Sequence, residues 1–154
     1  MSVTLDVQYE VEAGPDEDDI RRWIEAVVVA EAKAAEVELT VRIVDEAEMA
    51  ELNARYRHKT GPTNILSFPF EAPPGMELNL LGDLVIAAPV VQREAREQGK
   101  TETAHWAHMI VHGTLHLLGY DHQEPAEAEE MEAREIHILQ QLGYSNPYIL
   151  DEAS

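Results

Sequence analysis

Five of the seven histidines fall between residues 105 and 122, and three of them stand at spacings that build a metal site. The segment reads His112-Gly113-Thr114-Leu115-His116-Leu117-Leu118-Gly119-Tyr120-Asp121-His122. Residues four apart on an α-helix are offset by only about 40° around the axis and about 6 Å along it, so His112 and His116 present both imidazoles on one face. Gly119 can take the positive φ that ends a helix and turns the chain, bringing His122 back across that face with a third nitrogen. The expected metal ligands are therefore His112, His116 and His122. A neutral tris-imidazole set fits one Zn²⁺ and keeps a fourth position for water, whose pKa such an ion lowers to about 7. Hydrolysis is the natural reaction class.

These offsets are those of the metzincin protease motif, His-Glu-x-x-His-x-x-Gly-x-x-His, in every position but one. Gly113 stands where the proteases carry their general base, and it can neither take a proton from water nor deliver one to a leaving amine. Peptide hydrolysis is thereby disfavoured. An alkoxide leaving group needs less acid assistance, so a phosphodiester suits the remaining parts, provided cations lie near the metal. Arg57 is the candidate for that role, since a guanidinium binds phosphate through paired contacts and keeps its charge. Arg55 and Lys59 are candidates for holding the substrate strand. The competing reading of the cluster Arg55, Arg57, His58 and Lys59 is a set of solvated bases at a helix C-terminus, where the helix dipole favours them. His105 and His108 precede the tripod on roughly the same side; they read as supporting or packing residues, with alternate ligation as the other possibility. Asp121 is placed to orient a ligand or handle protons. His58 and His137 read as solvated or capping residues.

Eleven Lys and Arg against 30 Asp and Glu give a formal charge of −19 over 154 residues. This argues against generic electrostatic binding to nucleic acid or anionic membrane, so a polyanionic substrate must be held locally. With no cysteine, a disulfide framework, an iron–sulfur cluster, a thiol nucleophile and a thiolate zinc site are all excluded. The first residues lack a basic and apolar leader pattern, and no apolar run approaches the roughly 18 residues of a membrane span, which leads to the expectation of a cytoplasmic protein.

The elements that must position these groups follow from periodicity. Val3 to Tyr9 alternates as a strand, and Asp16 to about Glu36 reads as an amphipathic helix carrying Ile20, Trp23, Ile24, Val27 and Val28 inward. A strand from Glu38 to Val44, a helix from Glu46 to Tyr56 and a strand from Asn64 to Phe70 come next. Pro69 marks that strand as an edge or a strand end. Leu81 to Ala87 reads as a central strand, Pro89 to about Gln98 as a helix, and Thr101 as the cap of a helix running through Leu118. A last helix spans about Ala126 to Leu142. The order predicts one compact α+β domain, a small mixed sheet of about four strands packed with about five helices, with the metal site at a helix end.

The histidine segment, together with Leu52-Asn53-Ala54-Arg55-Tyr56-Arg57, Pro62-Thr63-Asn64-Ile65-Leu66-Ser67-Phe68-Pro69, Gly82-Asp83-Leu84-Val85-Ile86 and His105-Trp106-Ala107-His108, resembles the YbeY family of bacterial ribosomal RNA maturation factors. The resemblance covers most of the chain. It implies a metallohydrolase domain spanning residues 1–154, acting as a single-strand-specific endoribonuclease in small-subunit rRNA 3′-end maturation and ribosome quality control. It also implies zinc on His112, His116 and His122 and places the family's functional arginine on Arg57. The implied partners are single-stranded rRNA, small-subunit ribosomal proteins and a ribosome-associated GTPase. A different reading is a non-catalytic ribosome-assembly factor with a structural metal, whose acidic surface docks basic ribosomal proteins. A hydrolase of small substrates would instead show a deep closed pocket.

Overall fold

The computed structural model describes residues 2–31, 36–71, 73–75, 79–121 and 123–148. The elements run β1 (Ser2–Tyr9), α1 (Glu17–Ala30), β2 (Glu36–Val44), α2 (Glu46–Arg57), β3 (Ile65–Pro69), β4 (Leu80–Ala87), α3 (Ala88–Glu97), α4 (Glu102–Leu117) and α5 (Pro125–Gln141). The strands form one mixed sheet in the order β1-β2-β4-β3. β1, β2 and β4 are parallel, and β3 returns antiparallel along β4. This is the expected α+β architecture, with Pro69 closing an edge strand where its missing N–H costs no ladder bond.

Capping chemistry sets the helix starts. Asp16 accepts from the Asp19 amide at 2.9 Å, Asp45 from the Glu48 amide at 2.8 Å, and Thr101 from the Ala104 amide at 3.1 Å, each satisfying a donor that the first turn leaves open. Strand alternation sends Leu84 and Ile86 into the core beneath α1 and α4, while Val85 and Ala87 face the smaller cluster under α2 with Met49 and Leu66. The sheet is thus covered on both faces.

One boundary differs from expectation. α1 ends at Ala30, with Glu31 as its cap, and β2 already begins at Glu36; residues 32–35 lie outside the described set. The cause is tertiary. Glu36 and Val37 pair with Ser2 and Val3 of β1, while Glu31 accepts the Tyr120 hydroxyl and pairs with Arg134 of α5 at 3.1 Å. These contacts tie the end of α1 to the segment that follows α4.

α4 is the element on which the rest converge. Trp106, Ala107, Ile110, Val111 and Leu115 are buried in the main core, and the helix packs on β3, β4, α1, α3 and α5. A helix surrounded this way is fixed in rotation. Its histidines consequently have little freedom in where they point. Among the described residues, no helix is long and apolar enough to cross a membrane.

Candidate active site

His112 and His116 stand where helical spacing puts them, on one face of the last two turns of α4, with ring centroids 4.7 Å apart and ring planes at 81°. The two rings open into a groove of about 650 Å³ lined also by Arg57, Asn64, Ser67 and Asp121. Gly119 takes a φ of +106° just past the helix, the left-handed turn expected to redirect the chain. His122 lies outside the described residues. Among the described residues no three His, Cys, Asp or Glu side chains converge to hold an ion. The pair itself fits one: two imidazoles one helical turn apart supply two borderline-soft nitrogens at a polar, accessible wall, the donor chemistry Zn²⁺ prefers.

The guanidinium reaches this groove through a local device at the end of α2. His58 caps the helix in the left-handed conformation, with φ 55°, and the Lys59 amide turns back to the Asn53 carbonyl at 3.3 Å. Buried Asn53 then donates through Nδ2 to the Gly61 carbonyl at 2.8 Å. The loop is thereby folded against the helix, and Arg57, in the last turn, faces the groove.

Among the described residues Arg57 makes no ion pair, whereas Arg42, Arg55, Arg93 and Arg134 are each paired with glutamates. Arg55 reaches Glu51 at 3.5 Å on the exposed side of α2, and Lys59 is exposed on the turn. In so acidic a chain, an arginine left for solvent in a groove is available to an anion.

His105 and His108 are buried in α4 and turned toward other helices. His105 shares a hydrogen bond with Glu94 of α3 at 2.9 Å, and Asn64 donates to both Glu94 oxygens at 3.2 and 3.3 Å. Burial alone would raise the Glu94 pKa, but the hydrogen bonds from His105 and Asn64 outweigh it and hold the carboxyl below its ordinary value. A depressed folded pKa means that this stabilisation is complete above the unfolded value and is lost as pH falls through the folded one. Wild type is therefore expected to lose more unfolding free energy than Glu94→Gln between pH 5 and pH 3 (an interval of about 2 pH units around the ordinary carboxylate pKa), as measured by urea denaturation. Parallel curves would count against it.

His108 leads to the second carboxylate, which sequence reading missed. Glu135 of α5 is 1% exposed and lies 3.0 Å from both His108 Nε2 and His112 Nδ1. The Tyr148 hydroxyl adds contacts to its two oxygens at 3.0 and 2.9 Å. Burial would raise Glu135, yet hydrogen bonds and charge from the two histidines bring it down to about 2. It is an ionised acceptor at every physiological pH.

Gly113 is set by packing as well as by chemistry. A Cβ there would lie 2.6 Å from Ile65 Cδ1 and 2.8 Å from Leu84 Cδ2. The position faces the β3–β4 surface at contact distance, so a side chain beside His112 requires the ends of Ile65 and Leu84 to shift.

An imidazole pair and a guanidinium that makes no ion pair among the described residues face one polar groove of a small α+β protein, an arrangement suited to binding an anionic group. The chain belongs to the YbeY family: the model of that family, described as endoribonuclease YbeY, matches residues 6–143. It is similar to endoribonuclease YbeY of Nitrosococcus oceani, with 56% identity over 152 residues covering 96% of this chain and 98% of that protein. A solution structure of a Thermotoga maritima protein shares the fold, with a TM-score of 0.59, 23% identity, and coverage of 96% of this chain and 99% of that one.

Proposed function

We propose that the protein is a zinc-dependent endoribonuclease that cleaves single-stranded RNA, acting in small-subunit rRNA 3′-end maturation and ribosome quality control in the cytoplasm. His112, His116 and His122 hold one Zn²⁺ in this reading. The observation that carries it is the convergence of His112, His116 and Arg57 on one groove. When bound, the ion supplies an acidified water and a Lewis acid beside the phosphodiester. Arg57 binds the non-bridging phosphate oxygens, aligns the scissile bond and stabilises the charge that develops on them. Asp121, on the same wall, orients a ligand or relays a proton. Gly113 offers no base, in keeping with an alkoxide rather than an amine leaving group. Arg55 and Lys59, exposed at the end of α2 and the turn after it, are placed to attract the strand outside the groove. An open polar groove suits a polymer better than a small substrate.

The formal charge of −19 favours a second reading, a non-catalytic assembly factor with a structural metal whose acidic surface docks basic small-subunit ribosomal proteins or a ribosome-associated GTPase. The two readings part on one measurement. Protein purified free of contaminating ribonuclease is expected to cut single-stranded RNA, to spare duplex RNA, to stop when a chelator removes the ion and to resume when one equivalent of zinc is returned. Chelator-treated protein that cuts at the untreated rate would remove the metal from the mechanism, and no cutting under any condition would leave the docking reading.

A further inference from the structure

α4 carries two histidines, His108 and His112, that both touch the same carboxylate oxygen of Glu135 at 3.0 Å. An ionised carboxylate only accepts, so each imidazole must donate to it, and the atoms in contact fix which nitrogen holds the proton. His112 meets Glu135 through Nδ1, so its neutral tautomer carries the lone pair at Nε2. His108 meets it through Nε2, which moves its lone pair to Nδ1, and that nitrogen is buried without a hydrogen-bond partner among the described residues. One carboxylate thus imposes opposite tautomers on two histidines four residues apart. It separates a ring suited to ligation at the groove from a ring that serves as a clamp.

The carboxylate is itself held. The Tyr148 hydroxyl spans both Glu135 oxygens at 3.0 and 2.9 Å, and the Tyr148 ring packs edge-on against His108 with centroids 5.2 Å apart. Tyr148 lies beyond residue 143, where the family match ends. With three donors on a carboxylate that is 1% exposed, Glu135 is held in place, and its contact at 3.0 Å in turn restrains the His112 ring at the groove wall.

We infer that Glu135, pinned by the Tyr148 hydroxyl, is a positioning residue that locks His112 in the Nδ1–H tautomer and so makes Nε2 its ligating nitrogen. The inference rests on the zinc reading above and extends it from the ligands to what aims them. Metal-bound histidines commonly owe their orientation and basicity to such a carboxylate, and its loss typically weakens metal binding by about 10- to 100-fold.

Two readouts on the full chain test it, neither of them activity. Long-range ¹⁵N–¹H imidazole spectra of the metal-free protein are expected to show His112 protonated at Nδ1 in wild type and as a mixture of tautomers in Glu135→Gln. Zinc affinity, measured by competition with a chromogenic chelator, is expected to fall by about 10- to 100-fold in Glu135→Gln. In Tyr148→Phe it should fall by roughly three- to tenfold, part of the worth of one hydrogen bond to a charged acceptor. Should Glu135→Gln not fold, Tyr148→Phe decides alone, because its side chain sits at the surface and only the hydroxyl is removed. Wild-type His112 protonated at Nε2, or zinc affinity in the folded variants within twofold (about 0.4 kcal/mol) of wild type, overturns the inference alone. A wild type with no zinc affinity overturns the metal reading and this inference together.

Discussion

Arg57→Glu is expected to reduce kcat/KM for single-stranded RNA by about 10³-fold or more, since in the proposed mechanism a transition-state donor is replaced by a like charge facing the phosphate. The thermal midpoint should stay within about 2 °C of wild type, because surface changes away from packed features rarely exceed about 0.5 kcal/mol. Arg57 makes no ion pair among the described residues, and its helix end is held by the Asn53–Gly61 contact at 2.8 Å, to which the guanidinium contributes nothing. The helix dipole penalises an acid in the last turn by only about 0.3–1 kcal/mol. Arg57→Lys separates charge from geometry. It keeps the cation and loses the fork that binds two phosphate oxygens, so about a tenfold loss is expected if paired contacts matter, and none if Arg57 acts as a point charge. Wild-type cleavage by Arg57→Glu would return Arg57 to the status of a solvated base at a helix end.

The parts legible from sequence are those whose geometry is local. His112 and His116 share a face because an α-helix brings residues four apart together, and neither β3 nor α5 is needed to deduce it. The cap at Thr101 was legible for the same reason. His58 was read as solvated or capping, and it does end α2 in the left-handed conformation. What sequence could not show is how the helices meet. Glu135 is 23 residues from His112, and Tyr148 is 40 from His108; nothing in a stretch rich in glutamate marks one of them as buried against two histidines. A methionine and an isoleucine at inward helical positions, Met131 and Ile138, bracket Glu135 on the buried face of α5 and were the one available signal. The end of α1 was misread because Ala32 to Ala35 continue a strong helix-forming composition, whereas strand pairing at Glu36 and the buried contacts of Glu31 decide the boundary. Local propensity lost to tertiary pairing there.

Gly113 shows how a chemical and a mechanical reason can coincide. Gly113→Glu is expected to cost on the order of 4 kcal/mol or more, or to prevent folding, because it forces a carboxylate and two further carbons into an apolar contact with no partner. The Cβ alone would approach Ile65 Cδ1 to 2.6 Å and Leu84 Cδ2 to 2.8 Å. Both neighbours are ends of flexible side chains, so Gly113→Ala is a milder case. Overpacking of about 1–3 kcal/mol is offset by roughly 1 kcal/mol of recovered helix propensity, leaving a net loss near 0–2 kcal/mol in urea denaturation. The difference between the two variants carries the argument. α4 lies against β3 and β4 at the distance a glycine allows, and β3 supplies Ser67 to the groove while α4 supplies the histidines. A residue large enough to act as a protease base at position 113 would have to displace Ile65 and Leu84 between these two walls. Gly113→Glu should therefore gain no peptidase activity and should lose cleavage of RNA through loss of folded protein. A Gly113→Glu chain that unfolds at the wild-type urea midpoint would show that helix and sheet can separate at no cost, and the glycine would then need a chemical explanation alone.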